Sequence, residues 1–212
     1  QIDEILDHCP GYVYTGRSRE KDASRGEATP ILYQPDTWEL LEHGTLWLSE
    51  TPEVPASESW NTALPRIFTW ARFKRKEDGR EIVIYNTHYD HVSSMARHES
   101  SKTIITHMQQ HYPGKDLVLL GDLNAGEQEP PVNHLLENKK FPLRDAYREV
   151  HPEAGNRDAT FYGWKAHVPG TGRRIDYIFY RGNLDPARVF VSDFNEDGRY
   201  PSDHMPVIAI FE

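Results

Sequence analysis

The chain has 212 residues, 37% hydrophobic and 11% aromatic, which is enough for one sizeable core and too much for a disordered segment. A net charge of −9 argues against a protein that grips long duplex nucleic acid through many phosphates, and favours a small or short substrate. The single cysteine, Cys9, excludes an internal disulfide framework and a cysteine-based zinc site, and no apolar run reaches the ~20 residues that a membrane-spanning helix needs.

In chain order, Gln1–His8 reads as the tail of a helix, with Ile2, Ile5 and Leu6 on one face and Pro10-Gly11 stopping it. A polar loop at Arg17–Glu27 precedes short strand candidates at Pro30–Gln34, Trp38–Leu41 and Thr45–Leu48, the last two joined through His43-Gly44. Thr51–Asn61, rich in Pro, Ser and Glu, reads as an exposed loop. Arg66–Lys74 and Glu81–Asn86 form a hairpin signal, because Asp78-Gly79 between them supplies the positive-φ residues of a tight turn. Met95–His111 has a helical apolar stripe at Ile104, Ile105 and Met108. Leu117–Leu120 is a buried-strand pattern, and Pro131–Asn138 is a short helix with proline in its first turn. Ile175–Tyr180, Ala187–Val191 and Val207–Phe211 complete the strands. No repeat or linker divides the chain, so residues 1–212 read as a single α/β domain, and the pattern alone leaves one sheet or two open.

Polar, reactive residues cluster at the ends of four apolar runs. Ile82–Tyr85 leads into Asn86-Thr87-His88, and Leu117–Leu120 leads into Gly121-Asp122-Leu123-Asn124. Asp176 lies inside Arg174-Ile175-Asp176-Tyr177, and Ser202-Asp203-His204 precedes the last strand. Each motif alone is ordinary turn or surface chemistry. Together they supply what phosphoester hydrolysis asks for: carboxylates for a divalent metal, a base for water, and donors for developing phosphoryl charge. A carboxylate such as Asp176 beside His204 would fix the imidazole tautomer and support its charged form.

In order and spacing these motifs resemble the endonuclease/exonuclease/phosphatase superfamily, from about residue 30 to the C-terminus, and Leu48-Ser49-Glu50-Thr51-Pro52 with Leu64-Pro65-Arg66 resemble a bacterial subgroup. The resemblance implies a two-sheet α/β/β/α four-layer sandwich with the site at one edge of the sheets. It implies hydrolysis of a phosphodiester or phosphomonoester with Mg²⁺ (or Mn²⁺), on a small molecule or a single-stranded nucleic acid. His88, Asp122, Asn124, Asp176 and His204 would be catalytic, with the base left open between Asp122 and His204. Asp203 and Asp122 would lie at the metal. Family members place their principal metal-binding Glu in a strand upstream of the first helix, and no such Gln-Glu pair occurs here. The expectation is therefore an N-terminally incomplete sandwich that holds Mg²⁺ poorly and leaves strand edges exposed or covered by another chain.

Outside the motifs, Arg174 either grips phosphate or simply flanks a strand, and Trp164 is the better candidate for stacking a ring. His91, His98, His107 and His111 read as surface residues, since helical spacing turns them to different faces. A non-catalytic family member acting as a scaffold is the main alternative, and the intact reactive set argues against it. A serine hydrolase lacks its Gly-x-Ser-x-Gly elbow here.

Overall fold

A computed structural model describes residues 1–164 and 167–212. The elements are α1 (Ile2–His8), β1 (Val13–Thr15), β2 (Ile31–Tyr33), β3 (Trp38–Trp47), β4 (Ile67–Arg75), β5 (Glu81–His88), α2 (Ser94–His111), β6 (Leu117–Asp122), α3 (Pro130–Leu136), β7 (Arg144–Asp145), α4 (Ala146–Val150), β8 (Asp176–Arg181), β9 (Pro186–Val191) and β10 (Val207–Phe211). A six-stranded mixed sheet in the order β3-β4-β5-β6-β8-β7 is the centre of the molecule.

One face of the sheet is dry. Val83, Tyr85, Leu117, Leu119 and Phe179 alternate toward it and pack on Ile104, Ile105 and Met108 of α2 and on Val132 and Leu135 of α3. The helix starts cleanly because the Ser93 hydroxyl accepts a hydrogen bond from the Ala96 amide. His107, expected at the surface, instead packs at this face and hydrogen-bonds Tyr85, so burial pushes its pKa down to about 4.

The opposite face is covered in two separate pieces. β1 and β2 pair antiparallel and set Ile31 on Ala71 and Phe73. β9 and β10 pair antiparallel and, with α4, set Val189 and Phe211 near Val118 and Tyr180. Among the described residues the second layer is thus two ribbons, and a groove lined by Ile31, Tyr33, Ile82, Ile84, Asn86 and Leu120 runs between them.

A second expectation is corrected beside that for His107. His43-Gly44 is no turn: β3 runs through it as one strand with a register shift between Leu40 and Glu42. Gly44 is needed there for contact, since a Cβ would sit 2.9 Å from the Trp70 indole nitrogen. Strands β1 and β7 and helix α4 were too short to show a period in the sequence.

Candidate active site

Strand register assembles the site. β5 and β6 are parallel with His88 opposite Asp122, and β6 and β8 are antiparallel with Asp122 opposite Asp176. Opposed residues share a face, so the three side chains form a row across three strands, on the side away from α2 and α3. His204 joins from the segment before β10, where it bridges to Phe161 and rests against that ring with centroids 4.8 Å apart.

Two backbone devices allow the row. Gly121 faces Thr87 across the strand pair, and a Cβ there would lie 1.9 Å from the Thr87 carbonyl oxygen, so only glycine permits this approach beside Asp122. Asn124 adopts a positive φ of 48°, which asparagine tolerates. In that conformation its amide N–H donates to Asp122 Oδ1 at 2.7 Å, and its side-chain amide donates to the Tyr89 carbonyl at 3.0 Å.

Asp122 Oδ2 then lies between two imidazoles, 3.3 Å from His88 Nε2 and 3.9 Å from His204 Nε2. Burial, reinforced by the neighbouring Asp176 charge, pushes the Asp122 carboxyl up to about 6. His204 Nδ1 is 2.8 Å from Asp176 Oδ2, a contact in which the ring nitrogen donates; this hydrogen bond raises the His204 pKa and leaves Nε2 facing Asp122. His88 moves the other way: burial, then the positive charges of Arg66 and Arg19, hold it at about 3, so it is neutral near pH 7. Asp122, Asp176 and His204 each offer one ligand atom, all within 4.8 Å of one another. Asp203 is not in that trio; its backbone carbonyl accepts from the Tyr162 amide.

The two remaining candidates lie apart from this cluster. Arg174 is 5% exposed, with its fork paired to both Asp145 oxygens at 2.7 and 2.8 Å, a further bond to Glu127, and its plane between Tyr147 and Tyr177. Its donors are committed to the protein. Trp164 is 71% exposed on a loop at φ 62°. Three further neighbours carry no motif at short range. Thr160 Oγ1 accepts from the amides of Ile175 and Asp176 and so fixes the start of β8. Arg19 and Glu27 are ion-paired at 2.6 Å beside His88, brought there from the loop between β1 and β2.

The model of the endonuclease/exonuclease/phosphatase family matches residues 27–204, a span that holds every residue of the row and His204. The chain belongs to the endonuclease/exonuclease/phosphatase family. A family protein of known structure from Bacteroides vulgatus is 27% identical and superposes with a TM-score of 0.90 over 100% of this chain and 80% of that one. A mannosyl-6-phosphatase from Bacteroides thetaiotaomicron is 30% identical, with a TM-score of 0.87 over 99% of this chain and 80% of its own. Nocturnin of Drosophila melanogaster is 27% identical over 86% of this chain, which spans only 32% of that longer protein.

Proposed function

We propose that this family member hydrolyses a phosphoester with water, at a centre made by Asp122, Asp176 and His204 with His88 and Asn124 beside it. The observation that carries the reading is the position of Asp122 Oδ2 between the two imidazole nitrogens. A carboxyl with a pKa near 6 is a competent base close to neutrality, so Asp122 takes the proton of the attacking water. His204, its charge supported by Asp176, donates to the phosphoryl oxygens as they gain charge. Neutral His88 adds a further donor, and Asn124 holds Asp122 in place through its backbone amide.

The donor set also fits a divalent cation. Asp122 and Asp176 are carboxylates set so close that the charge of Asp176 raises the cost of charging Asp122, and a cation bound to that pair relieves it. Asp122 and Asp176 would hold it, with Asp203 adding negative charge nearby and His204 kept for the phosphoryl oxygens. Mg²⁺ or Mn²⁺ there would supply charge neutralisation for the phosphoryl oxygens. The likeness to a mannosyl-6-phosphatase supports a small phosphorylated substrate, as does the acidic net charge of −9. Hydrolysis of p-nitrophenyl phosphate and bis-p-nitrophenyl phosphate, with Mg²⁺ and with EDTA, tests this. Metal-stimulated release of nitrophenol is expected. A pure, folded protein that turns over neither ester at any divalent-metal concentration rules the proposal out.

A further inference from the structure

The Asp176–His204 pair spans two layers of the molecule. Asp176 opens β8 in the six-stranded sheet, while His204 precedes β10, which pairs with β9 in a separate ribbon. Their side chains meet at 2.8 Å, yet among the described residues no backbone hydrogen bond runs directly between the two segments that carry them. Something must set a contact of that kind, because a misplacement of about 1 Å in a reacting group costs on the order of 10²-fold in rate.

The segment Thr160-Phe161-Tyr162 lies between the two and bonds to both. On the β8 side, the Thr160 and Phe161 amides both donate to the Arg173 carbonyl at 2.9 Å, and the Arg173 amide donates to the Phe161 carbonyl at 3.0 Å. On the His204 side, the Met205 amide donates to the Thr160 carbonyl at 2.6 Å, and the Tyr162 amide donates to the Asp203 carbonyl at 3.0 Å. Phe161 thus bridges to Arg173 along one edge and to His204 along the other.

Within this strut Thr160 alone holds the dyad at both ends. It is fully buried, and its Oγ1 accepts from the Ile175 and Asp176 amides, each at 3.1 Å. Its own hydrogen has the Arg173 carbonyl at 3.5 Å. A hydroxyl has two acceptor positions, and the two amides take both. Other buried hydroxyls do less: Thr87 and Ser100 each donate to one carbonyl, of Ile67 at 2.9 Å and of Ala96 at 2.7 Å. Without the Thr160 oxygen two buried N–H groups lose their partner, and the start of β8 must move to recover them. Asp176 moves with it, and the His204 ring loses the acceptor that keeps its proton on Nδ1.

We infer that Thr160 is a positioning residue for the reaction: its hydroxyl fixes the Asp176 end, and its carbonyl the His204 end, of the strut that sets the geometry of the pair. The inference rests on the phosphoesterase reading for its effect on turnover. The arrangement of the pair itself does not depend on turnover.

The test compares Thr160→Val, which keeps the shape without the hydroxyl, with Thr160→Ser, which keeps the hydroxyl. Two readouts are taken: kcat and KM for p-nitrophenyl phosphate with Mg²⁺, and the His204 tautomer of the metal-free protein, from long-range ¹H–¹⁵N spectra at alkaline pH where the ring is neutral. In the wild-type protein the proton is expected on Nδ1. Thr160→Val should lower kcat about 10–50-fold with KM within about threefold, and should move the proton in part to Nε2. Thr160→Ser should restore both readouts to within about threefold of wild type. A folded Thr160→Val protein with wild-type kcat and tautomer overturns the inference. So does a fall in kcat that serine does not restore, or one that leaves the tautomer unchanged, since either marks general damage to the fold. If Thr160→Val does not fold, Thr160→Cys decides, because sulfur is a weaker acceptor: an intermediate kcat with a mixed tautomer supports the role, and wild-type values overturn it. A wild-type protein that hydrolyses no ester, but whose His204 tautomer responds to valine and serine as expected, upholds the strut and removes the phosphoesterase reading.

Discussion

The reactive row is flanked by two arginine clusters built on opposite principles. On the β8 side, Arg174 gives both arms of its fork to Asp145, bonds Glu127 and lies between two tyrosine rings, while Arg148 pairs with Glu127 and Asp158. On the β4 side, Arg66 and Arg19 are as deeply placed, but Arg66 Nε and Arg19 Nε have no hydrogen-bond partner among the described residues and meet Asp90 and Glu20 only at 3.6 and 3.7 Å. The same residue type is riveted by paired short bonds on one flank and held by longer ion pairs on the other. Burial alone does not tell these apart; the count of satisfied donors does.

The contrast has no meaning unless a reaction centre lies between the flanks, and the largest expected effect tests that. Asp122→Asn and His204→Ala should each lower kcat by about 10³–10⁴-fold on the preferred ester. Asp122→Asn should also stabilise the metal-free protein. The folded carboxyl, raised from 3.8 to about 6, binds its proton more tightly than the unfolded one, so stability falls as pH rises through that window. Above pH 6 the amide should recover on the order of 2 kcal/mol in urea melts, and the gain should vanish toward pH 4. A destabilised Asp122→Asn protein at pH 7.5 would mean that the carboxylate is better solvated or paired than its surroundings indicate.

Second in size is the rivet. Arg174→Met leaves Asp145 buried without its partner, while Glu127 keeps Arg148, and should cost about 3–5 kcal/mol of unfolding free energy. Whatever fraction folds should keep the wild-type KM for the preferred ester, since Arg174 pairs away from the reactive row. A KM raised about tenfold or more in folded Arg174→Met would place the residue at the substrate. Third, Asp176→Asn keeps the shape beside His204 but removes the support for its charge and one carboxylate of the cation's donor set. A fall in kcat of roughly 10²-fold is expected, together with a lower His204 pKa in an NMR titration of the metal-free protein. Smallest is Trp164→Ala: exposed as it is, it should leave the urea midpoint unchanged and alter only KM, by a few-fold at most.

These two flanks also mark where the sequence stops being legible. His88, Asp122, Asn124, Asp176 and His204 sit in short motifs at strand ends, and a strand end is visible as an apolar run breaking into polar residues. The β4–β5 hairpin was readable for the same local reason, through Asp78-Gly79. Arg174 was visible as a residue but not as a rivet, because Asp145 and Glu127 are 29 and 47 positions away. Arg19 and Glu27 looked like ordinary members of a polar loop, and only the pairing of β1 with β2 brings them to His88. The division of the second layer into two ribbons was equally hidden, since strands of three residues carry no usable period.

The glycine at 121 gives the row a consequence for how the protein reaches its fold. His88, Asp122 and Asp176 share a face only in one pairing of β5, β6 and β8, and the contact between Gly121 and the Thr87 carbonyl belongs to that pairing alone. A slip of one residue would send one member of the row to the helix side and bring Leu120 or Asp122 opposite a strand backbone that has room only for hydrogen. Misaligned chains are therefore penalised by the same atom-scale fit that sets the row, and burial of Asp122 should appear in a single step with sheet closure during refolding.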